Sequence, residues 1–200
     1  MIKKIRKGFS LVEMLLVIGV LSVLLIGMFV IYPNVRDSYQ VKQEVDNLSL
    51  IKAGLSNYFE SKGSNYSSLG TMQEVVGNRF ANRARIVPES MNRGSSTTDY
   101  LNHVWGGDVI IHGTIGAYAQ YQPGRTFAIR YNDVPSRVCV KLGTGAASLF
   151  SAMTVNSKPV INLSDNPSAT PGTGLGVLDL PQLTQLCSSS DPVQFVFISN

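Results

Sequence analysis

Glu13 is the residue whose chemistry most demands an explanation, because it heads an uninterrupted apolar run, Met14 to Tyr32, of nineteen residues without a formal charge. A carboxylate at membrane depth costs on the order of a few kcal/mol and persists when it is paired or functional. Cys139 and Cys187 are the next candidates. They form no CxxC pair and no Cys/His cluster, so metal-ligand spacing is absent. Outside the cytoplasm they would close a loop of about fifty residues as a disulfide, worth roughly 2 to 4 kcal/mol; in a reducing compartment they would be two buried thiols. There are only two histidines, His103 and His112, and His112 sits on a predicted strand with no carboxylate or second histidine nearby in sequence that would make it a ligand. His112 reads as a surface or satisfied core histidine, and Trp105-Gly106-Gly107 as a packing anchor followed by a turn. The stretch GTGAASLFS lacks the lysine of a phosphate-binding loop, and no nucleophile motif or paired catalytic carboxylates appear. An enzyme is not indicated.

The elements that carry these residues are set by pattern. Of 17 basic residues, four (Lys3, Lys4, Arg6 and Lys7) lie within the first eight, so the 13 that remain equal the 13 acidic ones. The overall charge of +4 is thus a property of the N-terminus, a topology or processing signal before it is a binding surface. An α-helix over Met14–Tyr32 crosses roughly 30 Å of hydrocarbon. The cations ahead of it keep Met1 cytoplasmic and export the rest of the chain, which places the cysteines in an oxidising environment. Phe29-Val30-Ile31-Tyr32-Pro33 closes the apolar run where a cleaved signal would carry small residues, so cleavage after the run is not expected.

Pro33 predicts a break or kink. Beyond it Val41, Val45, Leu48, Ile51, Leu55 and Tyr58 or Phe59 recur at helical spacing, with Lys42, Glu44, Asp46, Asn47 and Lys52 on the polar side. This predicts an amphipathic helix ending near Gly63. Residues 61–107 read mainly as a connection with one short helix, Leu69 to Val76. Arg79, Arg83, Arg85 and Arg93 against Glu89 form a local basic excess there, read as a solvated loop or subunit contact rather than a nucleic-acid patch. From Asp108 the pattern is β: DVIIHG, TIGAYAQY, a turn at Gln122-Pro123-Gly124-Arg125, and TFAIRYNDV, an antiparallel meander. A helix from Pro135 carries Val138, Cys139, Leu142 and Leu149 toward the core. AMTVNSKPVI reads as strand and turn, Ser164 to Gly176 as a loop, Leu180 to Cys187 as a short helix, and VQFVFIS as a closing strand. Residues between Cys139 and Cys187 form a stapled subdomain in this reading.

The segment Lys7-Gly8-Phe9-Ser10-Leu11-Val12-Glu13 before the apolar run resembles the class III signal of type IV prepilins and pseudopilins. The resemblance implies that a prepilin peptidase cuts between Gly8 and Phe9, that Phe9 becomes the N-methylated N-terminus, and that Glu13 is the fifth residue of the mature chain, where that family carries its glutamate. The physics agrees: cutting before the helix retains it and creates an α-amine at Phe9 that can neutralise Glu13 within or between subunits.

The predicted order of elements also resembles the type IV pilin head, with the size and order of type IVb and a short type IVa-like leader. The implied fold is α+β: a helical spine packed on an antiparallel β-sheet head with a disulfide-bounded C-terminal region. The implied boundaries are a leader 1–8, a spine 9–60 with its assembly half at 9–32, an αβ-loop 61–107, and a head 108–200 whose Cys139–Cys187 region spans 139–187. The implied function is a structural pilus subunit without cofactor or metal, anchored in the inner membrane with a periplasmic head and then polymerised outside the cell. Its implied partners are prepilin peptidase, copies of itself, the assembly platform and ATPase, and host or neighbouring cell surfaces; nucleic acid stays open. Two alternatives stand beside it: a minor pilin or type II secretion pseudopilin, and a signal-anchored periplasmic binding module in which Glu13 is incidental.

Overall fold

The structure, a computed structural model, describes residues 10–70, 76–91, 100–113, 124–162 and 177–199. It divides into two units, Met1–Tyr39 and Gln40–Asn200, and helix α1 (Leu11–Glu60) contributes to both. In the first unit the Ser10 carbonyl opens the helix by accepting from the amides of Glu13 (3.0 Å) and Met14 (3.2 Å). α1 continues through Pro33 without a break. The proline removes only the amide that would have bonded the Phe29 carbonyl, a local loss that the turns on either side tolerate.

In the second unit, α1 buries Val41, Leu48, Ile51, Leu55 and Phe59 in the core while Lys42, Asp46, Leu50 and Ala53 face water. This is the amphipathic stripe that the spacing predicts. Residues 61–107 hold more structure than a connection. They contain a 3-10 turn at Ser67–Leu69, helix α2 (Val76–Arg83), a second 3-10 turn at Glu89–Met91 and strand β1 (Leu101–Asn102). The short helix expected over Leu69–Val76 is displaced: Leu69 closes the first turn, Val76 opens α2, and 71–75 lie outside the described residues.

The reason for the displacement is the edge of β2 (Asp108–Gly113), which α2 covers. Asn78 is buried and donates Nδ2–H to the Val109 carbonyl while its Oδ1 accepts from the Ile111 amide, both at 2.8 Å. One side-chain amide therefore serves as a short surrogate strand along an edge that would otherwise be open. The approach requires Gly77, since a Cβ there would sit 1.9 Å from the Ile111 carbonyl oxygen. Gly77→Ala is expected to lower head stability by about 1–3 kcal/mol, because rigid backbone is what the methyl meets. An unchanged thermal midpoint for that variant would show that α2 is free to move away.

The remaining elements are β3 (Phe127–Val134), α3 (Ser136–Ala146), β4 (Ala152–Val155), β5 (Lys158–Asn162), β6 (Val177–Leu178), α4 (Leu180–Ser189) and β7 (Val193–Ser199). Among the described residues the strands form one seven-stranded antiparallel sheet in the order β1-β2-β3-β7-β4-β5-β6. β7, latest of the strands in sequence, lies at its centre: Phe197 is opposite Ile129 on one side and Met153 on the other. Phe195, Phe197, Ile129, Tyr131 and Met153 thus share the core with α1. The expected strand TIGAYAQY, residues 122 and 123 of the expected turn, and the loop 164–176 lie outside the described residues.

Cys139 on α3 and Cys187 on α4 are disulfide-bonded, with Cα atoms 5.7 Å apart. The segment between them is not a separate subdomain, because β4 pairs with β7 and extends the common sheet. Leu149 is half-buried at the edge of the core rather than within it. The N-terminal ends of both helices are fixed by carboxylates: Asp191 accepts from the Ser136 amide (3.0 Å) and Asp179 from the Gln182 amide (2.9 Å).

Candidate functional site

Two places concentrate chemistry, one in each unit. In the first, α1 from Leu11 to Tyr32 exposes large apolar side chains on every side, Leu11, Leu15, Ile18, Leu21, Leu25 and Phe29 among them. It is long and apolar enough to cross a membrane by length and composition. The one serine within this stretch, Ser22, donates to the Ile18 carbonyl at 2.7 Å, so its hydroxyl presents no unmet donor to an apolar surround. Glu13 stands exposed in the first turn of this helix, where the positive end of the helix dipole favours an anion. Gly8 and Phe9 lie outside the described residues.

The second place is a buried polar node in the head. Glu44, expected on the solvent side of α1, is 1% exposed. Its two oxygens accept from the Val104 amide (2.8 Å) and the Tyr131 hydroxyl (3.0 Å). Gln40, one turn earlier, accepts from the Trp105 indole N–H at 3.1 Å. Burial, reinforced by the Glu44 charge and the hydrogen bond to it, drives the Tyr131 phenol well above its usual range, so it remains a donor. The carboxylate survives burial because both oxygens are satisfied by donors. Asn47, also expected outside, is 5% exposed.

Glu44→Gln is expected to destabilise the head by about 1–3 kcal/mol, since the isosteric amide gives up charge-assisted acceptance and turns an N–H toward one of two donors. Denaturant titration checks it, and a change below roughly 0.5 kcal/mol would remove Glu44 from the determinants of stability.

His103 belongs to the same node. It is fully buried, its ring stacked on Tyr131 with centroids 5.3 Å apart. Its Nε2 is 2.7 Å from the Asn132 carbonyl and its Nδ1 accepts from the Trp105 amide at 3.2 Å. Trp105 is accordingly a packing anchor with a specific polar attachment, followed by Gly106 in a left-handed turn (φ +94°). His112 is buried rather than superficial. Its Nδ1 bonds the Gly113 carbonyl at 3.0 Å, and Nε2 has no partner among the described residues. Burial holds both histidines below their ordinary pKa.

Arg79, Arg83 and Arg85 lie on and after α2 toward the surface, while Arg93 lies outside the described residues. Among the described residues no group of three or more His, Cys, Asp or Glu side chains could hold a metal. The polar node is structural in its geometry, with Gln40, Glu44, His103, Trp105 and Tyr131 all engaged by backbone or side chain. The apolar surface of the first unit, by contrast, is covered by none of the described residues.

A family model described as PilS N terminal matches residues 38–200, and a second, described as Prokaryotic N-terminal methylation motif, matches residues 3–29. No curated protein matches the chain. Among solved structures, a type IV b pilin from Salmonella typhi is similar at TM-score 0.55 and 17% identity, over 80% of this chain and 99% of that one. TcpA, a type IV pilin from the El Tor biotype of Vibrio cholerae, is similar at 0.54 and 16% identity, over 81% and 99%.

Proposed function

From the premise that the chain is a type IV pilin, belonging to the family whose model is described as PilS N terminal, we propose that it is a pilus subunit cut between Gly8 and Phe9, methylated at Phe9 and polymerised through residues 9–32. The family is structural, and the protein is not an enzyme. The observation that carries the reading is the apolar surface of Leu11–Tyr32, exposed on all sides in a helix whose continuation is an ordinary amphipathic core helix. Such a surface has two uses in sequence: a membrane holds the precursor, and neighbouring spines replace the lipid in the filament. Exchanging lipid for neighbouring spines gains close packing rather than hydrophobic transfer, whereas any apolar area that would otherwise meet water outside the membrane is worth roughly 25 cal/mol per Å² covered, before association costs.

Glu13 in this reading accepts the Phe9 amine of the same or an adjacent subunit, which sets the axial register. The domain limits are then a removed leader 1–8, a spine 9–60, a connecting region 61–107, and a head 108–200 exported to the periplasmic side. Prepilin peptidase and the assembly platform are the partners that such processing requires. Adhesion, aggregation or cell contact is the role of the resulting filament.

Electron microscopy of sheared surface filaments, with mass spectrometry of the subunit, tests the proposal as a whole. The expected subunit begins at N-methylated Phe9 and carries a closed Cys139–Cys187 bond. Intact Met1 on mature material would overturn the pilin processing and restore the signal-anchored alternative.

A further inference from the structure

The corner from His103 to Gly107 is fastened to α1 by two polar contacts and closed on itself by the backbone bonds His103 N–H to the Gly107 carbonyl (3.1 Å) and Gly106 N–H to the His103 carbonyl (2.9 Å), while one further contact inside it depends on the protonation state of a histidine. Val104 donates its amide to Glu44, the Trp105 indole donates to Gln40, and the Trp105 amide donates to His103 Nδ1. The opposite ring nitrogen, Nε2, faces the Asn132 carbonyl, which can only accept. These partners fix one tautomer, with the proton on Nε2 and the lone pair on Nδ1. Adding a second proton at Nδ1 sets an N–H against the Trp105 N–H, removes that amide's acceptor, and places a cation in a site with no solvent exposure.

From this geometry we propose that His103 is a pH-operated latch: the neutral ring holds the Trp105 corner closed against α1, and protonation opens the corner while the sheet stays intact.

Each element around His103 bears on its charge. Asp108 on β2 and Asp133 on β3 favour the cation, Tyr131 on β3 offers its ring, and Glu44 on α1 is already committed to Val104 and Tyr131. Burial outweighs the two aspartates, so the folded ring titrates below 6.5. A group whose folded pKa is depressed contributes its stability fully above its unfolded pKa and loses it as pH falls through the folded value. The closed corner is therefore stable near neutrality and weakens in acid. Its opening is local because the contacts at risk are those of residues 103–107, whereas β3 is held on both sides, by β2 and β7.

Trp105 is the only tryptophan of the chain, so its emission reports this corner alone. In the closed corner its indole packs 5.3 Å from the imidazole, centroid to centroid, so opening carries it into water, which lowers and red-shifts its emission. The full chain in detergent micelles, titrated from pH 7.5 to 4, is expected to lose Trp105 emission reversibly in a one-proton step centred below pH 6.5. As pH falls from the open-state pKa of the ring toward its lower folded value, the protection of the Trp105 amide against hydrogen exchange is expected to fall by up to tenfold per pH unit, the limit for coupling to one proton. The Phe197 and Ile129 amides of the sheet should keep theirs.

His103→Gln should abolish the dependence on pH at Trp105, and His112→Gln should leave it in place. A flat response at Trp105, or loss of protection at Phe197 in parallel with Trp105, would overturn the latch. The comparison of those two amides needs only the unaltered chain, so it decides the matter even if His103→Gln does not fold.

Discussion

Glu13→Val is expected to yield a subunit that is cut, folded and retained in the membrane but not recovered in filaments. The substitution leaves Gly8 and Phe9 untouched and adds one more apolar residue to a helix already apolar from Met14 onward. What it removes, in the proposed assembly, is the partner of the Phe9 amine at the moment when lipid and water are replaced by neighbouring spines. Breaking a buried ion pair from one side costs on the order of 3–5 kcal/mol. Spread over one subunit contact, that is a factor of a hundred or more in affinity. Glu13→Gln keeps the shape and some hydrogen bonding and should be less severe. Immunoblots of membranes and sheared fractions separate the two stages; normal filament yield from the valine variant would sink the role given to Glu13.

The second large effect is expected at the disulfide. Cys139 and Cys187 are 48 residues apart and both are buried, on two helices that pack together, of which α4 also lies against β4 and β5. Gly143 on α3 meets Leu183 on α4 so closely that a Cβ would stand 2.8 Å from its methyl group, so the helices interlock as well as bond. Closing a loop of that length contributes about 4 kcal/mol in the chain-entropy model. For a head of this size, each kcal/mol moves the midpoint by roughly 2–4 °C. Cys139→Ala with Cys187→Ala, or reduction of the native chain, is therefore expected to lower the thermal midpoint by about 8–16 °C. A midpoint indifferent to reductant would mean that the interlocked helices suffice.

Much of the fold was legible because it rests on local periodicity. α1, α3, α4 and β7 come directly from spacing, caps and β-branched runs, and VQFVFIS names its strand residue for residue. β1 was not legible: two residues, Leu101 and Asn102, carry no period, and they become a strand only because β2 lies opposite. α2 was misplaced because its position depends on the pair of hydrogen bonds between Asn78 and the edge of β2, which join residues more than thirty apart.

Glu44 is where helical spacing and charge point in opposite directions. Val41, Glu44, Leu48, Ile51 and Leu55 follow the alternating three- and four-residue step of a buried helix face, so spacing alone placed that carboxylate inside. Its charge argued otherwise, and the donors that reconcile the two, Val104 and Tyr131, stand sixty and eighty-seven residues away. Glu13 remains legible only as a motif, since its proposed partner is reached by processing and assembly rather than by folding.

The central place of β7 imposes an order of events on the folding of the head. β1, β2 and β3 can pair as they emerge, and β4 can pair with β5, yet no described strand joins the two groups until Val193–Ser199 arrives between them. Both cysteines precede that strand, so oxidation can tether α3 to α4 while the sheet is still in two halves. The bond then shortens the search that the late strand must make, and a chain in which Val193–Ser199 has not yet docked holds β3 and β4 as two unpaired strand edges, a template for wrong pairing.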